Sequence, residues 1–243
     1  MKSVISIMPN IGGSLARVMS LAAIVVLGTA TSGVAQQNAN PKITPPNARP
    51  YGRTLGEWNT AWWQWILSIP EDRNPNLDET GEFAGEGQRG KVWFLAGSFS
   101  SGQGYERTIR IPAGTAIFCG LFTTIWGAGV FDCDPSVPGV ECDLEALRGV
   151  AADIMDNAPD ELLAISIDGV PVQNPRAYRA VSPEPFPVYL PDGNFLGLPE
   201  GIYEPNVSDS YSLMLAPLSV GEHIIVDGTP GEGPLGITHI IVE

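Results

Sequence analysis

Short apolar segments separated by glycine and proline turns are the feature that most limits what this chain can fold into. Its 243 residues include 28 Gly and 22 Pro, and only 16% of them are charged. Such a chain favours many turns and short elements over long helices. A coiled coil and a helical bundle are therefore disfavoured, and the length suits one sizeable domain.

The balance of charge restricts the partners of the protein. There are 27 acidic against 13 basic residues, which gives a net charge of −14. A surface of this sign has no basic face with which to neutralise phosphates, so we expect neither a nucleic-acid partner nor attachment to anionic lipid.

The N-terminal 35 residues have the pattern of a cleaved signal peptide. Lys2 and Arg17 supply positive charge, and residues 18–28 form an apolar core that is too short to span a bilayer comfortably. Gly33 and Ala35 then place small residues where a signal peptidase cleaves. We expect a secreted or periplasmic protein without membrane insertion after cleavage; the alternative is an uncleaved anchor.

The mature chain is predicted to begin with a disordered lead-in and continue as one β-rich domain. Residues 36–50 are polar and rich in proline, whereas residues 51–243 show no internal repeat and no linker. Thr54 and Glu57 have capping-box spacing, and Pro70 would end the helix that follows. Apolar residues at helical intervals predict a single buried face of Leu55, Trp58, Trp62, Trp65, Ile66 and Ile69.

Downstream of this helix the pattern is mostly that of strands. A second amphipathic helix is expected from Asp143 to just before Pro159, and Asp168-Gly169 predicts a hairpin turn. Strands are predicted at residues 91–99, 106–111, 115–126, 162–167, 177–181, 186–190, 211–216, 223–227 and 237–242. The expected fold is mainly β, an antiparallel β-sandwich with two amphipathic helices, and the alternative is an α+β domain.

Several stretches are together similar to one known family. They are YGRTLGEWNTAWWQWILSIP, the segment from Asn74-Pro75 to Gly81, GKVWFLAGSF, RTIRIPAGTAIF and DSYSLMLAPLSVGEHIIVDG. In this order they resemble a family of exported bacterial proteins of unassigned activity with a Trp-rich N-terminal helix. The resemblance implies an exported β-rich domain and supplies no catalytic residues.

Three cysteines can be divided by their surroundings. Cys133 and Cys142 lie in one Pro/Gly loop, and an oxidising compartment would allow them to form a disulfide. Cys119 lies in an apolar run and is expected to be a free, buried thiol.

The same loop carries four acidic residues that could hold a cation. Their side chains offer the oxygen ligands that Ca²⁺ prefers, although the spacing matches no EF-hand. A solvated acidic loop is the alternative. We expect no cofactor, with Ca²⁺ left open, and the ligand candidates are Asp132, Asp134, Glu141 and Asp143.

Trp63 is the first candidate for ligand binding. It lies about 100° from Trp62 around the predicted helix, beside Asn59. Either a second layer of the protein covers Trp63, or its indole is an exposed platform on which a sugar ring can stack.

The two histidines exclude several enzyme classes. With only His223 and His239 a three-His zinc site is impossible, and a Ser-His-Asp hydrolase would lack the usual Gly-x-Ser-x-Gly elbow. His239 shares a strand face with Ile237 and Ile241, which predicts a packed core histidine.

These features lead to three functional hypotheses. The first is an exported, non-catalytic β-sandwich that binds an extracellular polysaccharide or a small neutral ligand. The second is a carboxylate-based polysaccharide hydrolase or lyase, with Arg107, Arg110 or Tyr178 assisting. The third is a cell-surface or matrix protein that self-associates through strand edges. Oligomeric state is left open.

Overall fold

The computed structural model describes most of the chain beyond the predicted signal peptide. The described residues are 40, 42–98, 104–128, 132–133, 143–228 and 236–243, with the main chain alone at 128, 132 and 133. The fold is mostly β, with two mixed sheets and two helices, as expected in outline. Among these residues no helix has the length and apolar character needed to cross a membrane.

The helices and strands are numbered here in chain order. The helices are α1 (Leu55–Leu67) and α2 (Leu144–Asp156). The strands are β1 (Val92–Leu95), β2 (Tyr105–Ile111), β3 (Ala116–Ala128), β4 (Asp132–Cys133), β5 (Ile165–Ile167), β6 (Val170–Pro171), β7 (Phe186–Leu190), β8 (Gly201–Leu215), β9 (Gly221–Asp227) and β10 (Gly236–Val242).

The strands form two five-stranded sheets that mix parallel and antiparallel pairs. The first sheet has the order β1-β3-β8-β7, with β4 also paired to β3, and the second has the order β2-β10-β9-β5-β6. Three of the described pairs are parallel, namely β1 with β3, β3 with β4, and β2 with β10. The expectation of purely antiparallel sheets is therefore wrong. β1 and β3 are parallel because the chain leaves β1 for the second sheet, forms β2 there, and returns to β3 in the same direction.

Helix α1 begins and ends where its sequence predicts. The side chain of Thr54 accepts from the Glu57 amide, and Glu57 accepts in return from the Thr54 amide. The helix ends at Leu67, and Pro70 lies just beyond. It packs against β3, β7 and β8 of the first sheet.

Helix α2 is capped by Asp143, whose Oδ1 accepts from the Ala146 amide at 2.8 Å. It buries Leu147, Ala151 and Met155 against β3 and β8. Leu144 and Val150 are also apolar residues at helical spacing, which predicts them on the same face, but both are exposed. The buried face is therefore narrower than the sequence pattern predicts.

Two segments without regular structure cover the edge of β8 beyond β7. Ile43 forms an antiparallel bridge with Leu215 and is buried. The lead-in was predicted to be disordered, but this bridge places its residues 42–50 against the sheet. On the same strand Ala180 donates to the carbonyl of Ser210 at 2.8 Å. The predicted strand at 177–181 is instead a short 3₁₀ helix followed by this pairing. Sheet edges need such cover because their unpaired amides and carbonyls would otherwise be open to another chain.

Candidate functional site

Trp63 is buried and does not form an exposed platform. Only 3% of its surface is exposed, and its Nε1 donates to Oγ1 of Thr123 at 3.0 Å. Its ring packs edge-on against Trp62, with centroids 5.0 Å apart. The platform interpretation is therefore wrong, because the side of α1 that carries Trp63 packs on β3 as a second layer.

Asn59 and Tyr178 are also enclosed by the fold. The Asn59 amide donates to Oγ of Ser208 at 2.9 Å, and its Oδ1 accepts from Thr123 at 3.3 Å. The Tyr178 hydroxyl accepts from the Asn40 amide at 3.1 Å. Both side chains are buried, so they hold elements together and are not open to a ligand.

Arg107 and Arg110 alternate on β2 and have different surroundings. Arg107 is buried and donates to the carbonyls of Ala96 and Gly97, the second at 3.2 Å. Its guanidinium also lies 4.5 Å from the centre of the Tyr105 ring. Arg110 points to the other face, is exposed and pairs with Glu243 at 2.9 Å. Of the five predicted ligand-binding residues, Arg110 alone lies at the surface.

The calcium and disulfide hypotheses fall mainly outside the described residues. Asp134, Glu141 and Cys142 lie outside the described residues, and only the main chain is described for Asp132 and Cys133. Asp143 is the N-cap of α2. Within the described part of the chain, no three His, Cys, Asp or Glu side chains are grouped for a metal.

The surface around Tyr189 does have the properties of a binding site. Tyr189 lies on the outer face of β7 and is 44% exposed, and its hydroxyl donates to Oε1 of Glu200 at 2.6 Å. Ile202 lies directly opposite on β8 and is 71% exposed. The hydrogen bond to Glu200 is the main cause that raises the pKa of Tyr189, and the negative charges of Glu200 and Asp192 raise it further. The phenol therefore stays protonated at neutral pH. We call these four residues the Tyr189 surface.

Asp192 connects the Tyr189 surface to a cleft of about 660 Å³. The turn at Gly193 accepts from the Glu71 amide at 2.9 Å, which holds the two walls together. The cleft is lined by Pro70, Glu71, Asp72, Arg73, Asp192 and Gly193. It therefore offers carboxylate acceptors beside an aromatic ring.

A polar groove crosses the outer face of the second sheet. It has a volume of about 420 Å³ and is bordered by Thr80, Thr108 and Glu222. Within it, Nε2 of His239 lies 2.8 Å from Oε1 of Glu106, and the imidazole is 41% exposed. The prediction of a core histidine is wrong, because His239 lines this open groove and its neighbours Ile237 and Ile241 are only half-buried.

Asp168 is the centre of a second surface cluster. Its carboxylate is contacted by Lys42 and, at 2.9 Å, by Nδ1 of His223, whose Nε2 lies 3.2 Å from Oγ of Ser219. Burial opposes ionisation of Asp168, but hydrogen bonds from Lys42, His223 and the Ile224 amide outweigh it and lower its pKa to about 2. The side chain of Asp168 is therefore ionised at neutral pH.

A polar pair, with Tyr105 buried and Asp227 half-buried, joins β2 to β9. The Tyr105 hydroxyl donates to Oδ2 of Asp227 at 3.0 Å. Burial raises the pKa of Asp227 to about 6, although this hydrogen bond and the charge of Arg107 oppose the rise. Burial likewise raises the pKa of the Cys119 thiol, which is free and buried as predicted.

Neither the Tyr189 surface nor the Asp168 cluster was predicted from the sequence, for different reasons. The alternation in FPVYL could have shown that Tyr189 faces outward, since it lies between the buried Val188 and Leu190. The Asp168 cluster carries no local signal, because it depends on how β5 pairs with β9.

Comparison of the chain with protein-family models, with curated proteins and with solved structures finds no match.

Proposed function

We propose that the protein binds a neutral carbohydrate at the Tyr189 surface. The observation that carries the proposal is an exposed aromatic ring whose hydroxyl is held by Glu200 at 2.6 Å. A fixed ring loses little conformational freedom on binding, which favours affinity. The apolar C–H face of a sugar can pack on this ring and on the neighbouring Ile202.

The charges around the ring favour the same class of ligand. Sugar hydroxyls are hydrogen-bond donors, and the carboxylates of Glu71, Asp72 and Asp192 are acceptors along the adjoining cleft. The net charge of −14 would repel an acidic polysaccharide at a distance. A neutral polymer or oligosaccharide therefore fits better than an anionic one.

The proposal is tested by measuring binding of the purified protein to a panel of neutral polysaccharides, first by affinity electrophoresis and then by calorimetry. Tyr189→Ala should weaken the binding found for the unaltered protein by about tenfold or more, because ring contacts of this kind contribute about 1.5 kcal/mol or more. Its melting temperature should stay nearly unchanged.

Tyr51 provides a matched control. It is 47% exposed, similar to Tyr189, but it packs edge-on against Trp58 and has no carboxylate on its hydroxyl. Tyr51→Ala should bind the same polysaccharide as tightly as the unaltered chain does. Equal binding by Tyr189→Ala, or the absence of any neutral ligand, would refute the proposal.

The hydrolase or lyase hypothesis stays a prediction. The cleft brings three carboxyl groups to one surface, which is the residue type that glycoside hydrolysis needs. Release of reducing ends from a bound polysaccharide, lost in Asp192→Asn, would favour it over binding alone.

A further inference from the structure

Three side chains form a hydrogen-bonded row at the surface, in the order that nucleophilic catalysis by serine requires. Oγ of Ser219 lies 3.2 Å from Nε2 of His223, and Nδ1 of the same ring lies 2.9 Å from Oδ2 of Asp168. Ser219 is exposed, whereas the imidazole is only 10% exposed. The nucleophile is therefore open to a substrate while its base is held within the protein.

The main chain holds the row together. Asp168 lies in the turn between β5 and β6. Its backbone amide donates to the Ile224 carbonyl at 2.8 Å, and its Oδ1 accepts from the Ile224 amide at 3.1 Å. This fixes the carboxylate beside His223 in the neighbouring strand. Gly221, with a φ of 130°, shapes the turn that returns Ser219 to the same ring. No Gly-x-Ser-x-Gly elbow is needed for this geometry.

The partners of the imidazole determine which nitrogen carries the proton. An ionised carboxylate can only accept, so Nδ1 donates to Asp168. In the neutral ring the lone pair of Nε2 can then accept the Ser219 hydroxyl proton. The carbonyl oxygen of Ser219, 2.9 Å from Nε2, accepts from that nitrogen once it is protonated. The imidazolium that forms during proton transfer therefore has an acceptor on each side.

We propose that Ser219 and His223 catalyse the hydrolysis of carboxylic esters, with Asp168 as the positioning residue. Esters are chosen because an alcohol is a better leaving group than an amine. Ser219 and the adjacent Val220 are both exposed at the surface, which suits a short acyl group such as acetyl. This activity uses none of the residues of the Tyr189 surface and does not depend on carbohydrate binding.

The reaction would run in two balanced halves. Oγ of Ser219 bonds to the acyl carbon while its proton moves to Nε2 of His223. The ester C–O bond then breaks, and the leaving alkoxide takes that proton and departs as the alcohol. Water next attacks the acyl-serine and gives a proton to Nε2. The acyl–Oγ bond breaks, Oγ regains the proton, and the free carboxylic acid leaves.

The decisive measurement is covalent labelling of the folded, unaltered protein with a fluorophosphonate, followed by peptide mass spectrometry. The expected result is one adduct, on the peptide that contains Ser219. No adduct on Ser219 would overturn the proposal, and this result does not depend on whether any variant folds. Labelling of other serines as fast as Ser219 would also overturn it.

Hydrolysis of 4-nitrophenyl acetate provides the second measurement. Ser219→Ala should reduce the rate to the buffer background, and His223→Gln should reduce it by at least 100-fold. Asp168→Asn should lower kcat by at least 100-fold while KM stays the same, which a purely structural role would not produce. Ser68→Ala is the matched control, since Ser68 is exposed but donates to a helix carbonyl and has no imidazole beside it. A rate retained by Ser219→Ala would refute the proposal.

Discussion

Trp63 and Thr123 join helix α1 to strand β3 by a hydrogen bond of 3.0 Å between Nε1 and Oγ1. Trp62, one residue earlier, donates its Nε1 to the carbonyl of Leu95 on β1 at 2.9 Å. Two adjacent indoles therefore bond to two different strands of the first sheet. The helix is enclosed on sides that a simple amphipathic pattern would leave to solvent.

We expect Trp63→Ala to destabilise the fold as much as Trp62→Ala does. Each change removes a buried indole and leaves a cavity, at a cost of about 3–5 kcal/mol in the free energy of unfolding. Urea unfolding measures this cost. Thr123→Val, which keeps the shape but removes the acceptor for Trp63 and the donor to Asn59, should cost about 1–3 kcal/mol. A loss below about 0.5 kcal/mol for Trp63→Ala would contradict the burial described here.

The two helical glycines at positions 56 and 149 should respond in opposite directions to alanine. A Cβ at Gly56 would lie 1.9 Å from the Val181 carbonyl oxygen, so Gly56→Ala should destabilise the protein despite the better helix propensity of alanine. A Cβ at Gly149 meets nothing within 4 Å, and Gly149→Ala should add about 0.5–1 kcal/mol. Thermal unfolding of the pair checks both signs.

Arg107 and Arg110, three residues apart and on opposite faces of β2, should differ sharply in their importance for stability. Arg107→Met would leave the buried carbonyls of Ala96 and Gly97 without this donor, and we expect a loss of about 3 kcal/mol or more. Arg110→Met breaks an exposed ion pair and should cost about 0.5 kcal/mol or less. Similar values from urea unfolding would contradict this assignment.

Asp227 should make the fold less stable as the pH rises from about 4 to about 7. Its pKa is about 6 in the fold against 3.8 ordinarily, so in this range the unfolded chain has lost a proton that the folded chain keeps. The free energy of unfolding then falls by roughly 2–3 kcal/mol.

Asp227→Asn isolates this effect, because asparagine can still accept from Tyr105 but does not titrate. The stability of the variant relative to the unaltered chain should increase from pH 4 to pH 7, as measured by urea unfolding at each pH. The groups facing position 227 are Tyr105, Arg107 and Cys119. A difference that does not change with pH would show that Asp227 titrates normally in the fold.

Local chemistry explains which elements were predictable. The Thr54–Glu57 cap and the alternation of β2 depend on neighbours within a few residues. Asp168 and Gly169 have φ values of 52° and 76°, which is the hairpin turn that this dipeptide favours. These features form in almost any tertiary context.

Long-range packing explains what the sequence could not show. The burial of Trp63 depends on β3, about sixty residues away, so the helical pattern alone leaves its environment open. The alignment of Ser219, His223 and Asp168 depends on the register between β5 and β9. Only Tyr189 among the candidate site residues has a local signal, in the alternation of β7.

The pairing of β2 with β10 has a consequence for how the chain matures. Tyr105 lies opposite Gly236, and β10 is also the partner of β9. During synthesis β2 leaves the ribosome more than a hundred residues ahead of β10, so the β2–β10 pair cannot form until β10 has been made. Contacts this distant in sequence also slow folding. Until β10 has been made, β2 lacks the partner it has in the fold, and loss of β10 would separate β2 from the rest of its sheet.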